Sequence, residues 1–203
     1  SNANLSGAYM AGADLSNANL RNADLNYANL SHAELSNAYL DGTNLNYADL
    51  SGADLRNADL SDADRRNADL SDADLRNADL SDADLRGANL SGVDLSSAWL
   101  NGVYATDLLV CPTVLPTDWM CVNYNLVGPY ADLRYSDLSN AYLSGANLSN
   151  AELNYAKLNY ADLSGADLRS ANLGNAYLAF ADLSNTNLTY LSGADLRSAN
   201  LGN

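Results

Sequence analysis

The chain of 203 residues is the length of one domain, and its net charge of −15 with 47% hydrophobic residues describes a strongly acidic protein able to bury a core. Such a surface repels nucleic acid and anionic lipid and attracts basic partners. No apolar run reaches the roughly 18 residues of a membrane-spanning helix.

Ser1-Asn2-Ala3 reads as the remnant of a removed tag, so a native leading segment is not excluded. From Leu5 to Leu100 an aliphatic residue then stands at every fifth position, with Arg65 as the one exception. A small residue stands two places before each, mostly Ala, with Thr43 and Val93 as variants. The position between them is mostly Asp or Asn. A period of five fits neither a helix nor a flat strand. It fits a chain that turns a corner every five residues, with Leu and Ala inside and the other positions outside. Four sides close a square coil of about 20 residues that rises roughly 4.8 Å per turn through sheet-like pairing. Each coil buries its apolar face against its neighbours, which is the logic of a solenoid.

Residues 20 apart then stack, which aligns Tyr27 with Tyr47, Tyr135 with Tyr155, and Tyr160 with Phe180. These columns read as outward rings covering a corner. The stretch from Asp49 to Asp94 carries twelve Asp against five Arg, a solvated face trimmed by Arg. Arg65 occupies an inward Leu slot, where an unpaired guanidinium costs several kcal/mol. Its side chain is therefore expected to escape outward, or the coil to deform around it, with Asp62 and Asp64 as partners.

A change of phase begins at Thr106-Asp107-Leu108, before the repeat breaks down over residues 109–130. This stretch holds all three prolines, both cysteines, and Trp119, Met120 and Tyr124. Proline prohibits regular ladder bonding, so the segment reads as a loop thrown out from the coil and packed partly on its flank. Loops carry recognition more often than scaffolds do, which makes Trp119, Met120 and Tyr124 the candidate anchors for a partner. Cys111 and Cys121 either form a disulfide, pointing to an oxidising compartment, or remain buried, inert thiols of a cytoplasmic protein. Two cysteines and one histidine, His32, make no zinc site.

Leu133 through Leu188 restore the period in a new phase, and Leu191, Leu196 and Leu201 continue it after a two-residue deletion. Residues 192–203 copy residues 164–175 letter for letter. No amphipathic capping helix is in view. Either the ends associate through unpaired backbone groups, or a terminal segment is missing. The organisation is thus a first repeat block over 4–108, a loop insertion over 109–130, and a second block over 131–203 continuing the same solenoid.

Phrases such as Ala53-Asp54-Leu55-Arg56-Asn57 and Ala166-Asp167-Leu168-Arg169-Ser170 resemble the motif of the pentapeptide repeat family, over about residues 3–103 and 131–203. The repetitive style looks like that of its cyanobacterial members. The resemblance implies an all-β, right-handed quadrilateral β-helix. It implies no single function, since members have varied roles. No triad, phosphate loop, metal-ligand spacing or separate acid–base pair stands out, so neither catalysis nor a cofactor or metal is expected. The reading is a non-catalytic scaffold for a protein partner, with no direct binding of nucleic acid or membrane. The alternative, drawn from family members that act on DNA gyrase, is an acidic DNA mimic. The compartment follows the cysteines: cytoplasm if they are free, periplasm or thylakoid lumen if they are bonded.

Overall fold

Backbone pairing at intervals of 20 residues builds the protein. Asn4 bridges Asp24, Asp24 bridges Asn44, Asn44 bridges Asp64 and Asp64 bridges Asp84, all parallel. The computed structural model describes residues 3–188 and 190–202. Ser1 and Asn2 of the expected tag remnant, and Asn203 of the terminal copy, lie outside the described residues. The chain divides between Thr117 and Asp118 into two compact units, residues 1–117 and 118–203.

In the first unit, four such ladders run through the residues that precede the inward leucines. Each coil exchanges two bonds per side with the next: Leu25 N–H donates to the Asn44 carbonyl at 2.7 Å, and Asn44 N–H donates to the Ala23 carbonyl at 3.0 Å. Corners are closed by turns such as Ala28 N–H to the Leu25 carbonyl at 2.9 Å. The third residue of nearly every turn lies in the left-handed region, for example Asn17 at φ 59° and Tyr27 at φ 57°. Asn, Asp and Gly tolerate that conformation, which explains the polar and small residues at these corners. Leu25 to Leu60 and Ala23 to Ala63 are buried, and Thr43 fits its Ala slot by donating its hydroxyl to the Leu40 carbonyl at 2.6 Å.

The first unit takes up one extra residue after the phase change and then returns to register. Asn89 bridges Val110, 21 positions on, and Asp94 then bridges Val114 at the usual interval. Pairing in the first unit therefore extends into the segment expected as a loop. Ala105, Thr106 and Leu108 are buried, whereas Leu109 is exposed.

The second unit repeats the same coil through Asp132, Glu152 and Asn172, and through Asp137, Lys157 and Tyr177. The two-residue deletion shortens its last coil: Asn172 bridges Tyr190, and Tyr177 bridges Asp195, each 18 positions on. Before these coils comes a hairpin of two strands, β1 (Met120–Val122) and β2 (Asn125–Val127), in antiparallel register with Cys121 opposite Leu126. Asn123 and Tyr124 both have positive φ, at 48° and 60°, as the tight two-residue hairpin turn requires. Buried Asn125 locks the turn by donating its amide to the Asn123 carbonyl at 2.7 Å and to the Asp137 carbonyl at 3.3 Å.

Arg65 corrects the expectation drawn from its sequence position. Its side chain is fully buried, and the coil keeps its regular bonds, with Arg65 N–H on the Asp84 carbonyl at 2.8 Å. One terminal nitrogen, Nη2, donates to the Leu60 carbonyl, while Nε and Nη1 have no partner among the described residues. Asp64 points outward and pairs with Arg66 at 2.8 Å instead. Escape would require breaking the ladder bonds on both sides of residue 65, and those bonds hold the side chain inward.

Candidate interaction surface

The Asp and Asn before each inward leucine face solvent, and their side chains cap the corner that follows. Asp14 Oδ1 accepts the Ser16 N–H at 3.0 Å, Asp49 the Ser51 N–H at 3.0 Å, and Asn89 the Ser91 N–H at 3.1 Å. This local bond satisfies a corner N–H that the ladder leaves free, which is why the position takes Asp or Asn. It also lowers pKa values: the Ser16 N–H holds the Asp14 carboxyl below the usual range, and the Ser184 N–H does so for Asp182.

The four acid rows that precede the inward residues in the Asp49–Asp94 stretch are not equivalent. On one side Arg56 binds Asp54 through two nitrogens, at 2.8 and 2.5 Å, and reaches Asp74 of the next coil at 3.7 Å. On the opposite side Arg66 does the same with Asp64 and Asp84. Arg56 and Arg76 hold the Asp54 and Asp74 carboxyls below their ordinary range through these hydrogen bonds. The two remaining rows, Asp49 with Asp69 and Asp59 with Asp79, have no ion pair among the described residues. Their oxygens accept only serine and asparagine donors, such as the Ser61 hydroxyl at 2.7 Å on Asp59 and the Asn89 amide at 3.0 Å on Asp69.

The tyrosine columns stack as the interval predicts. Tyr27 and Tyr47 lie 5.0 Å apart and 8° from parallel, Tyr135 and Tyr155 5.1 Å and 5°, and Tyr160 and Phe180 4.9 Å and 1°. The aromatic residues at these corners adopt left-handed backbone, and ring contact between coils offsets its cost.

The candidate anchors separate in the structure. Trp119 and Met120 pack against the core of the second unit, while Tyr124 stands exposed at the hairpin tip. Gly128 is required here, because a Cβ at that position would fall inside the Trp119 ring. Both cysteines are disulfide-bonded, which closes the segment from Cys111 to Cys121. No group of three or more His, Cys, Asp or Glu is arranged to hold a metal ion among the described residues. Sequence reasoning missed the difference between paired and unpaired acid rows. The signal was present: Arg follows Asp by two residues on two sides of the square, and Ser does so on the other two.

Inward leucines and alanines, capped corners and outward acid rows define a right-handed quadrilateral β-helix, a solenoid. The chain belongs to the pentapeptide repeat family: it matches Pentapeptide repeats in eight copies, over residues 1–37, 33–64, 66–104, 131–169 and 161–203. No curated protein matches it. Among solved structures it is similar to HetL, a pentapeptide repeat protein involved in heterocyst differentiation regulation from the cyanobacterium Nostoc sp. strain PCC 7120. The identity is 35% over 98% of this chain and 87% of that one, with a TM-score of 0.52. It is also similar to alr5209 of Nostoc PCC 7120, at 40% identity over 47% of this chain and 62% of that one, with a TM-score of 0.27. QnrB1, a plasmid-mediated fluoroquinolone resistance protein, matches at 22% identity over 99% of this chain and 90% of that one, with a TM-score of 0.47.

Proposed function

We propose that this protein is a non-catalytic scaffold that binds a basic protein partner through the Asp49/Asp69 and Asp59/Asp79 rows. The supporting observation is that these carboxylates have no ion pair among the described residues, whereas the Asp54/Asp74 and Asp64/Asp84 rows are neutralised in place. Periodic carboxylates on a rigid coil are pre-organised to meet lysine and arginine side chains, and they steer a cationic partner toward the scaffold. The likeness to HetL, a protein involved in regulation, supports a role exercised by contact rather than by chemistry. Tyr124 at the hairpin tip is a further contact in this reading. The pairing of acid with Arg on two sides leaves DNA mimicry without a specific observation in its favour. The disulfide supports residence in an oxidising compartment, a reading that a thiol count on freshly isolated protein checks.

The test is a quadruple substitution, Asp49→Asn, Asp59→Asn, Asp69→Asn and Asp79→Asn. Asn keeps the corner cap, as Asn29 and Asn89 show, and removes only the charge. Cross-linking capture from the source cells should yield basic proteins with the wild type and lose them with the variant or at raised ionic strength. Recovery of the same partners by both proteins would overturn the reading.

A further inference from the structure

The second unit carries a cleft of about 510 Å³ lined by Arg134, Tyr135, Glu152, Asn154, Tyr155 and Asn172, a volume in the range of ligand sites. Three columns form it. Along the first, Tyr135 stacks on Tyr155, and the next corner residue, Asn175, carries no ring. The Asn175 side chain instead leans toward Gly193, filling the space a Cβ there would need. The Tyr155 face turned to Asn175 therefore has no aromatic cover. Along the second column Arg134 and Asn154 give way to Gly174. A Cβ on Gly174 would meet Asn154 Nδ2 and Asn172 Oδ1 at 3.2 Å, so the absence of a side chain keeps the floor open. In the third column Glu152 Oε2 accepts the Asn172 amide at 3.0 Å, and its other oxygen has no partner among the described residues. Arg134 is held by Asp132 at 2.8 and 2.5 Å, and Glu152 has no ion pair among the described residues.

A ring face beside a free carboxylate has a clear complement, and the chain shows it twice in its first unit. The Arg21 guanidinium lies 4.4 Å over the Tyr39 ring while its Nε donates to Asp41 at 2.6 Å. The Arg86 guanidinium lies 4.4 Å over the Tyr104 ring while paired with Asp84 at 2.6 Å. In both cases a planar cation takes stacking from the ring and charge-assisted bonds from the carboxylate. The cleft presents the same two elements with no arginine among the described residues on the open Tyr155 face.

We propose that this cleft receives an arginine side chain of the partner protein, its guanidinium flat on Tyr155 and its N–H groups on Glu152, with Asn154 and Asn172 bordering the site. Arginine is favoured over lysine because a planar fork both stacks and binds two acceptors, whereas an ammonium is a strongly hydrated point charge. The inference rests on the basic-partner reading and adds a specific pocket on the second unit.

The experiment titrates the intact protein against two labelled peptides of equal length and charge, one carrying arginine in glycine and serine flanks and one carrying lysine. The wild type should prefer the arginine peptide by about 3–10-fold. Tyr155→Asn and Glu152→Gln should each abolish the preference, and Tyr155→Phe should keep it. Asn is compatible with the left-handed corner, as Asn140 and Asn150 show, and unchanged melting curves confirm that the variants fold. Arginine amide should displace the arginine peptide from the wild type. Equal affinity for the two peptides in the wild type, or a preference that survives both Tyr155→Asn and Glu152→Gln, overturns the proposal. The quadruple Asp-to-Asn variant separates the two readings. If it weakens both peptides and keeps their ratio, both readings stand; if it binds both as the wild type does, the acid rows are refuted and the cleft is not.

Discussion

Arg65 shows how a single residue is constrained by a repeat. The fivefold pattern assigns it an inward slot, and desolvation argues that a guanidinium should leave that slot. The backbone prevails: residues 64 and 65 bond to the coil on either side, so the side chain is committed inward with two nitrogens unpartnered. Burial pushes its pKa down to about 9, against the opposing fields of Asp64, Asp84 and Asp79, and it therefore remains charged at neutral pH. A charge held this way limits stability. Arg65→Leu restores the column between Leu45 and Leu85 and should raise unfolding free energy by about 1–4 kcal/mol, the range of gains when buried charged groups are replaced by well-packed apolar ones. Denaturant titration at pH 7 measures it; a variant no more stable than wild type would show that relaxation or water already satisfies the guanidinium.

At the scale of elements, the segment 109–130 combines pieces with different constraints. Val110 and Val114 bridge the preceding coil, and β1 and β2 form a hairpin packed on the second core. The sequence marked this stretch as different because prolines and cysteines interrupt the period, and the disulfide between Cys111 and Cys121 was one of two open readings. That Trp119 and Met120 face a core while Tyr124 faces solvent was not legible, because it depends on the hairpin register and on the space Gly128 leaves. Removing the disulfide by Cys111→Ser with Cys121→Ser should lower stability by about 2–3 kcal/mol through the freed loop entropy. A matching loss should appear when the wild type is reduced, and the double variant should not respond to reductant. Equal stability of the oxidised wild type and the double variant would show that the bond adds nothing to the fold.

The whole molecule is acidic, and its carboxylates are structural as well as surface charges. Asp54, Asp74, Asp167 and Asp195 are held below their ordinary range by hydrogen bonds from the arginines two residues on, and Asp14 and Asp182 by serine N–H groups. A carboxyl whose folded pKa is depressed contributes stability that is present above its unfolded value, near 3.8, and is lost as pH falls through the folded value. Melting temperature should therefore fall progressively below about pH 4. Relief of charge repulsion acts in the opposite direction on the unpaired rows, so the quadruple Asp-to-Asn variant, which keeps these bonds, should melt above the wild type at pH 7 and low salt. Thermal melts followed by circular dichroism from pH 7 to pH 2.5 check both; a melting temperature that rises on acidification would show repulsion to dominate the corner bonds.

The sequence by itself determined the coil. Because the inward side chains recur every five residues, one short phrase specifies a corner, and twenty residues specify a turn of the β-helix. The stacked tyrosine columns, the phase change near Thr106 and the two-residue deletion near Leu188 follow from counting alone. Tertiary structure decided what counting cannot reach: that Arg65 stays inside, that Trp119 and Met120 face a core while Tyr124 does not, and that an open ring face lies beside Glu152. The reason is physical. Local bonding sets which way the backbone turns and thus which positions face in. Whether an inward charge is tolerated or an outward ring is covered depends also on neighbouring coils, 20 positions away in sequence.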